Sequence, residues 1–264
     1  IESNIKKSYG MILITDPTGS GKTTTMYSIL NMLNRPQVNI VTVEDPIEYN
    51  IKYINQIQIN PLAGITFASG LRSILRQDPN IIMVGEIRDE ETAEIAVNAA
   101  LTGHLLLSSL HTNDAPTAIP RLMDMKIPPF LVAMVLNVVI AQRLVRKICP
   151  NCIESFEPDA NFVANLKAQM KAVGSEKVEL SKTLYHGKGC QVCNGTGYKG
   201  RVGIYEAFEL NEAMRREINK GALSLDNVIS IARKEGMETM FEDGLHKAML
   251  GMTTIEEVLR VIRE

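Results

Sequence analysis

Eight residues, Asp16-Pro17-Thr18-Gly19-Ser20-Gly21-Lys22-Thr23, carry the strongest chemical signal in this chain of 264 residues. They follow a short apolar run, Met11 to Thr15, and open a helical pattern from Lys22 to Asn34 that Pro36 stops. Gly19 and Gly21 let backbone N–H groups turn inward around phosphate oxygens. Lys22 supplies a point charge to the terminal phosphates, and the Thr23 hydroxyl can hold Mg²⁺. The start of the helix turns its positive end toward the anion. Thr18, Gly19, Ser20, Gly21, Lys22, Thr23 and Thr24 are therefore the phosphate-binding candidates. The competing reading is a Gly-rich turn that binds nothing; Gly-Lys-Thr-Thr-Thr directly after a buried-type strand opposes it. One position departs from the phosphate-loop pattern G-x-x-x-x-G-K-[ST]: Asp16 stands where its first Gly belongs. A carboxylate about 4 Å from a phosphate would cost on the order of 1–4 kcal/mol, depending on the effective dielectric. Weakened nucleotide binding is the corresponding expectation.

Three further groups fall at strand ends. Ile82-Met83-Val84-Gly85-Glu86 closes an apolar strand, and phosphate-loop enzymes place an acid there, near Mg²⁺ and the attacking water. Glu86 is the candidate for polarising water; the bland alternative is a surface Glu opening a loop. Val43-Glu44-Asp45-Pro46 puts two acids after another strand, where Glu44 could serve Mg²⁺ or water, although Asp-Pro is also a common turn. His104 and His111 lie seven apart and face opposite ways on a regular strand. Of the two, His111 sits at the carboxyl end, on the side of the proposed site. His186 and His246 read as a loop residue and a helix-face residue.

All four cysteines are paired in sequence, as Cys149-x-x-Cys152 and Cys190-x-x-Cys193. Each C-x-x-C turn presents two sulfurs to one ion, and two such turns complete a closed, structural Zn²⁺ site. Two free dithiols or a redox pair are the alternatives. Residues 153–189 exceed the usual spacer, so a small subdomain is expected inside the loop.

The elements that position these groups alternate between strand and helix over residues 1–148. Strands are expected at Met11–Thr15, Asn39–Val43, Ile81–Val84 and Leu105–Leu110. Helices are expected after Lys22, after Thr66 to about Gln77, and after Asp89, where Glu90 and Glu91 favour the first turn and Gly103 the stop. Pro128 and Pro129 are read as opening an apolar helix that ends near Leu144. Such alternation implies crossover units and a mainly parallel sheet. Residues 150–189 are charged, with one helix expected near Asp159–Val173. Residues 211–264 return to helices, with Asn211, Thr239 and Thr254 as starts and Gly221, Gly236 and Gly251 as stops. The division expected is an α/β core over 1–148, a tetracysteine zinc-binding subdomain over 149–203 and a helical region over 204–264.

With 45% hydrophobic and 22% charged residues, a disordered or collagen-like chain is excluded. A net charge of −2 and 5% aromatic residues offer no electrostatic stripe or stacking platform, so no direct nucleic-acid contact is expected. The longest apolar run, Phe130 to Ala141, is broken by Asn137 and falls short of the ~20 residues of a spanning helix. The opening at Ile1, without methionine, is expected of a piece of a longer protein.

Four segments in order, Asp16–Thr25, Val43–Tyr49, Leu75–Asp89 and Thr102–Ala115, resemble the Walker A, Asp box, Walker B and His box of the motor ATPases of type II secretion and type IV pilus assembly. The resemblance covers nearly the whole chain, including Arg201-Val202-Gly203-Ile204-Tyr205-Glu206 after the cysteines. It implies a RecA-like P-loop ATPase domain, working as a hexamer, that uses ATP and Mg²⁺ and passes motion to an inner-membrane platform protein. It also implies a further region N-terminal to this one, and a cytoplasmic place, peripheral to the inner membrane. In that analogy Glu86 activates water or supports Mg²⁺, Glu44 assists, Lys22 and Thr23 hold phosphates and Mg²⁺, and His111 senses the nucleotide. Arg72, Arg76 and Arg88 are the local arginine candidates. Retraction ATPases of the same superfamily lack the tetracysteine element, so Cys149 to Cys193 point to the extension or secretion branch. Two other readings are a ring component with impaired turnover, because of Asp16, and a nucleic-acid-translocating RecA-like ATPase.

Overall fold

The computed structural model describes residues 2–15, 21–172, 175, 178–220 and 223–263. The chain runs α1 (Glu2–Ile5), β1 (Gly10–Thr15), α2 (Lys22–Leu33), β2 (Ile40–Glu44), β3 (Ile54–Gln58), α3 (Phe67–Ile74), β4 (Ile81–Val84), α4 (Glu90–Leu101) and β5 (Leu105–Leu110). It continues through α5 (Ala118–Asp124), α6 (Pro129–Val135), β6 (Leu136–Ile148), β7 (Ile153–Phe156), α7 (Ala160–Ala172), β8 (Leu184–Gly187) and β9 (Tyr198–Glu209). Four helices close the chain: α8 (Glu212–Asn219), α9 (Leu225–Lys234), α10 (Met240–Met249) and α11 (Ile255–Arg263).

Seven strands form one sheet in the order β3-β2-β4-β5-β1-β6-β9. From β3 through β6 every pairing is parallel. Every residue of β1, β2, β4 and β5 is buried, as expected of strands with both faces covered. Helix α2 contributes Tyr27 and Leu30 to a core that includes Ile12, Ile40, Met83 and Leu107. Burying each such side chain contributes about 1.5–3 kcal/mol. Caps set the helix starts: Thr66 with Ser69 closes a capping box on α3, and Asp89 accepts from the Thr92 N–H at 2.8 Å on α4.

The apolar helix expected from Pro128 to Leu144 is corrected. Helix α6 ends at Val135 and the next residue starts β6. Val138, Val139 and Ile140 are β-branched and lie beside β1, buried on both faces, so no alternation marks them as strand. Asn137, the polar interruption, is a bulge: Met11 pairs with Leu136 and Ile12 with Val138. Its amide donates to the Tyr9 carbonyl at 2.9 Å and accepts from Lys7 Nζ at 3.3 Å. Strand β9, at the edge of the sheet, runs opposite to β6. Leu210 donates to the Asn137 carbonyl near one end, and Cys149 to the Gly197 carbonyl near the other.

Packing divides the chain into two compact units, Ile1–Ala141 with Ala207–Met237, and Gln142–Glu206 with Glu238–Glu264. Motif and composition drew boundaries at 148 and 203; packing places α8 and α9 with the first unit and α10 and α11 with the second. In the second unit β7 and β8 form an antiparallel pair. Helices α7, α10 and α11 close an apolar core of Leu166, Met170, Leu184, Phe241, Leu245 and Val258. Glu257, buried, receives both Arg146 (2.7 and 2.9 Å) and Arg260 (2.8 and 3.1 Å). Arg146 also stacks 4.2 Å from the Tyr198 ring centroid. The expected starts at Asn211, Thr239 and Thr254 each cap a helix, and Gly236 and Gly251 follow helix ends at positive φ. Gly221 lies outside the described residues.

Candidate active site and four-sulfur cluster

Register brings the strand ends to one level. Thr15 pairs with Leu110, Ser108 with Val84, and Val84 with Val43. The residues just past those ends, in β1, β5, β4 and β2, therefore meet at the carboxyl edge of the sheet, where open α/β sheets bind ligands. A cavity of about 310 Å³ lies there, with Lys22, Thr23, Glu44, Glu86, Arg88 and His111 among its lining residues. Gly21 precedes α2 with φ +89, a left-handed conformation that a side chain would strain. Asp16, Thr18, Gly19 and Ser20 lie outside the described residues. Thr24 is exposed on α2 and is not part of the cavity lining; its carbonyl accepts from the Ser28 hydroxyl.

Glu86 is held from both sides. One oxygen pairs with the Arg88 guanidinium and the other with His111 Nε2 at 2.9 Å. Arg88 also lies 3.8 Å from the Asp45 carboxylate and 5.9 Å from the Phe67 ring centroid. Burial alone would push the Glu86 pKa up. The hydrogen bonds from Arg88 and His111 outweigh it and hold the carboxyl below its ordinary value. A carboxylate so held is ionised at neutral pH. It is an oriented hydrogen-bond acceptor for a water or a hydrated cation rather than a strong base.

Glu44 is buried at 2% exposure, and both oxygens are engaged. Tyr27 of α2 donates to one. Thr42 of β2 and Gln56 of β3, the latter at 3.0 Å, donate to the other. Burial first, and then the Glu44 carboxylate, push the Tyr27 phenol well above its usual value, so it stays a neutral donor. Tyr27 lies one helical turn beyond Thr23, so the network ties the helix that opens at Lys22 to the strand that ends at Glu44. Sequence reasoning missed Tyr27, Thr42 and Gln56. The available signal was a tyrosine on the buried face of α2, because a buried phenol calls for a partner.

The two histidines flank β5 at opposite ends and neither lies on the strand. His111 follows the carboxyl end of β5, whereas His104 precedes the amino end and contacts the Ala99 carbonyl at 2.9 Å. Of the three arginine candidates, Arg88 lines the cavity, Arg72 pairs with exposed Glu91 at 2.6 Å, and Arg76 is exposed and outside the cavity lining.

In the second unit the four cysteines are free thiols whose sulfurs all lie within 4.8 Å of one another. Cys149 and Cys190 are 3.9 Å apart, Cys152 and Cys193 3.8 Å, and Cys190 and Cys193 3.7 Å. A tetrahedral ion with Zn–S of about 2.3 Å sets its sulfurs about 3.8 Å apart, whereas a disulfide needs about 2.0 Å. The spacing excludes a disulfide and fits four sulfurs placed to hold one ion. Burial pushes the Cys193 thiol up, but N–H groups of Cys190 and Gly197, at 3.2 and 3.3 Å, more than offset it and hold the thiol below its ordinary value. His186 stacks edge-on against Phe156 and is not a member of the cluster.

A family model described as "Type II/IV secretion system protein" matches residues 1–260. This chain belongs to that family. Among individual relatives in the type II/IV secretion family, it is 51% identical to the type IV pilus assembly ATPase PilB of Thermus thermophilus, over 97% of this chain and 28% of that protein. It is 49% identical to the type II secretion system ATPase E of Vibrio cholerae, over 98% of this chain and 50% of that protein. The chain thus spans half or less of these two relatives' length. Among solved structures, the pilus retraction motor PilT with bound ADP matches at TM-score 0.70 and 30% identity, over 98% of this chain and 62% of that one. The α/β fold with a mainly parallel sheet is thereby that of this ATPase family.

Proposed function

We propose that this chain is the ATP-hydrolysing, RecA-like part of a motor that drives type IV pilus assembly or type II secretion. The observation that carries the reading is the meeting of Lys22, Thr23, Glu44, Glu86 and His111 around one cavity at the carboxyl edge of the sheet. ATP and Mg²⁺ are the ligands whose chemistry fits that set. Lys22 and the amides of the loop that ends at Gly21 would hold the phosphates, and the Thr23 hydroxyl would be a ligand for Mg²⁺. Glu86, ionised and aimed by Arg88 and His111, orients the attacking water in line with the terminal phosphate. Glu44, which lines the same cavity as Thr23, would add fixed negative charge there to favour a cation. His111 touches Glu86 directly, so a change in the Glu86 carboxylate on hydrolysis reaches β5 through one hydrogen bond.

The working form is proposed as a homo-hexamer at the cytoplasmic face of the inner membrane, engaging a platform protein there. No helix among the described residues is long and apolar enough to cross a membrane. Cys149, Cys152, Cys190 and Cys193 would hold a structural Zn²⁺, closed to substrate because all four positions are thiolates. The test of the hydrolytic reading is Glu86→Gln in the ring-forming protein. Turnover should fall about 10²–10⁴-fold with Mg-ATP binding retained. Unchanged turnover would remove Glu86 from the chemistry.

A further inference from the structure

We propose that Gly197 is the positioning residue that joins the two cysteine pairs into one metal site. The inference rests on the four-thiolate reading given above. Gly197 touches three of the segments that make the cluster. Its carbonyl accepts the Cys149 N–H at 2.9 Å, which docks the first pair. Its own N–H donates to Cys193 Sγ at 3.3 Å, which holds a sulfur of the second pair. Its backbone also lies directly against Gly187, at the end of β8 and three residues before Cys190.

That last contact excludes any side chain. A Cβ on Gly187 would meet the Gly197 carbonyl oxygen at 2.1 Å, and a Cβ on Gly197 would meet the Gly187 oxygen at 2.5 Å. A Cβ on Gly189 would meet the Gly195 carbonyl oxygen at 2.5 Å, a second approach from one side. Lys188, between the two crossings, donates its N–H to the Cys152 carbonyl at 3.0 Å. The segment leading into Cys190 thus crosses the segment leaving Cys193 backbone to backbone. Each C-x-x-C turn is locally complete, with Cys152 donating to the Cys149 carbonyl and Cys193 to the Cys190 carbonyl. What local turns do not supply is the distance between the pairs, and Gly197 bonds to both.

Gly200 provides an internal control. Its φ of +79 matches the +77 of Gly197, yet a Cβ there meets nothing within 4 Å among the described residues. Backbone strain is the same in the two alanine variants, and only Gly197→Ala also breaks the crossing. Gly187→Ala separates the effects from the other side, because Gly187 does not have a positive φ.

The experiment is titration of the metal-free, reduced chain with Co²⁺, read by the thiolate-to-cobalt charge-transfer and d–d absorption of a tetrahedral thiolate site. The native chain and Gly200→Ala should bind alike, within about twofold. Gly197→Ala and Gly187→Ala should each lose roughly 10–100-fold in affinity, the range found when groups that support metal ligands are altered. Their absorption should also lose the four-thiolate signature. If Gly197→Ala does not fold, Gly187→Ala decides alone. Loss equal to that of Gly200→Ala, or native affinity in both crossing variants, overturns the role of Gly197. A native chain that takes up no Co²⁺ with thiolate absorption instead overturns the metal reading itself.

Discussion

The cavity beside Lys22 and the four-sulfur cluster are two candidate sites built on opposite plans. The first stands on four strands, β1, β2, β4 and β5, that are buried end to end, so its side chains are placed whether or not a ligand is present. Its carboxylates are held by neighbouring side chains: Glu86 by Arg88 and His111, Glu44 by the neutral donors Tyr27, Thr42 and Gln56. The second stands on turns and glycine crossings, where backbone bonds replace side-chain packing. Four thiolates brought together there repel unless a cation sits among them. A sheet-edge site can therefore be emptied and refilled in each cycle, while a turn-built site is stable only when permanently filled.

That contrast breaks first under metal removal. Chelation, or Cys152→Ser, should abolish cooperative folding of residues 149–203, because apparent zinc binding of about 10–16 kcal/mol in small metal-dependent domains is also folding energy. Hydrogen exchange would read it as lost protection in that segment, with β1 and β4 still protected. Next comes Lys22→Ala, expected to weaken Mg-ATP by at least about 100-fold, or ~2.7 kcal/mol, with an unchanged melting temperature. Asp16→Gly sharpens the same comparison from within the loop. A tenfold or greater gain in affinity, about 1.4 kcal/mol, would identify this chain as an impaired form of a complete site.

Smaller effects test the networks. Tyr27→Phe leaves a buried Glu44 oxygen short of a donor and should cost about 1–3 kcal/mol of stability in denaturant unfolding. Removing the Arg88 charge, as Arg88→Gln, leaves burial in place and takes away the main opposing contact. The Glu86 pKa should then rise, and the acidic limb of the turnover profile should move to higher pH. In the second unit Arg260 and Arg146 outweigh burial and hold Glu257 at about 2. Its folded pKa is depressed, so its contribution is fully present above the unfolded value of about 4.3 and fades as pH falls toward 2. Glu257→Gln should lower stability at pH 7 and flatten that acid dependence relative to the native chain.

Strand ends were legible because each carries a motif on an apolar run: Lys22 after β1, Glu86 after β4, His111 after β5 and Glu44 at the end of β2. Helix caps at Thr66, Asp89, Asn211 and Thr239 were legible for the same local reason, since the capping residue precedes the helix it starts. Strand β6 was not, because a strand buried on both faces has no alternation and reads like a buried helix. Strand β3 was missed as well: Asn55, Gln56 and Gln58 make it polar, and its place beside β2 is a matter of topology. With β3 went Gln56, and so the network around Glu44. The second unit is assembled from two stretches of chain, residues 142–206 and 238–264, and no local pattern announces that α10 and α11 pack with α7.

The most direct test is calorimetric titration of Mg-ATP into the zinc-loaded chain, beside Lys22→Ala under the same conditions. Binding to the native chain that is lost in Lys22→Ala, with both melting alike, is the result this account predicts. A folded native chain that binds no Mg-ATP, or a Lys22→Ala variant that binds it equally well, would contradict the assignment of the sheet-edge cavity as the nucleotide site.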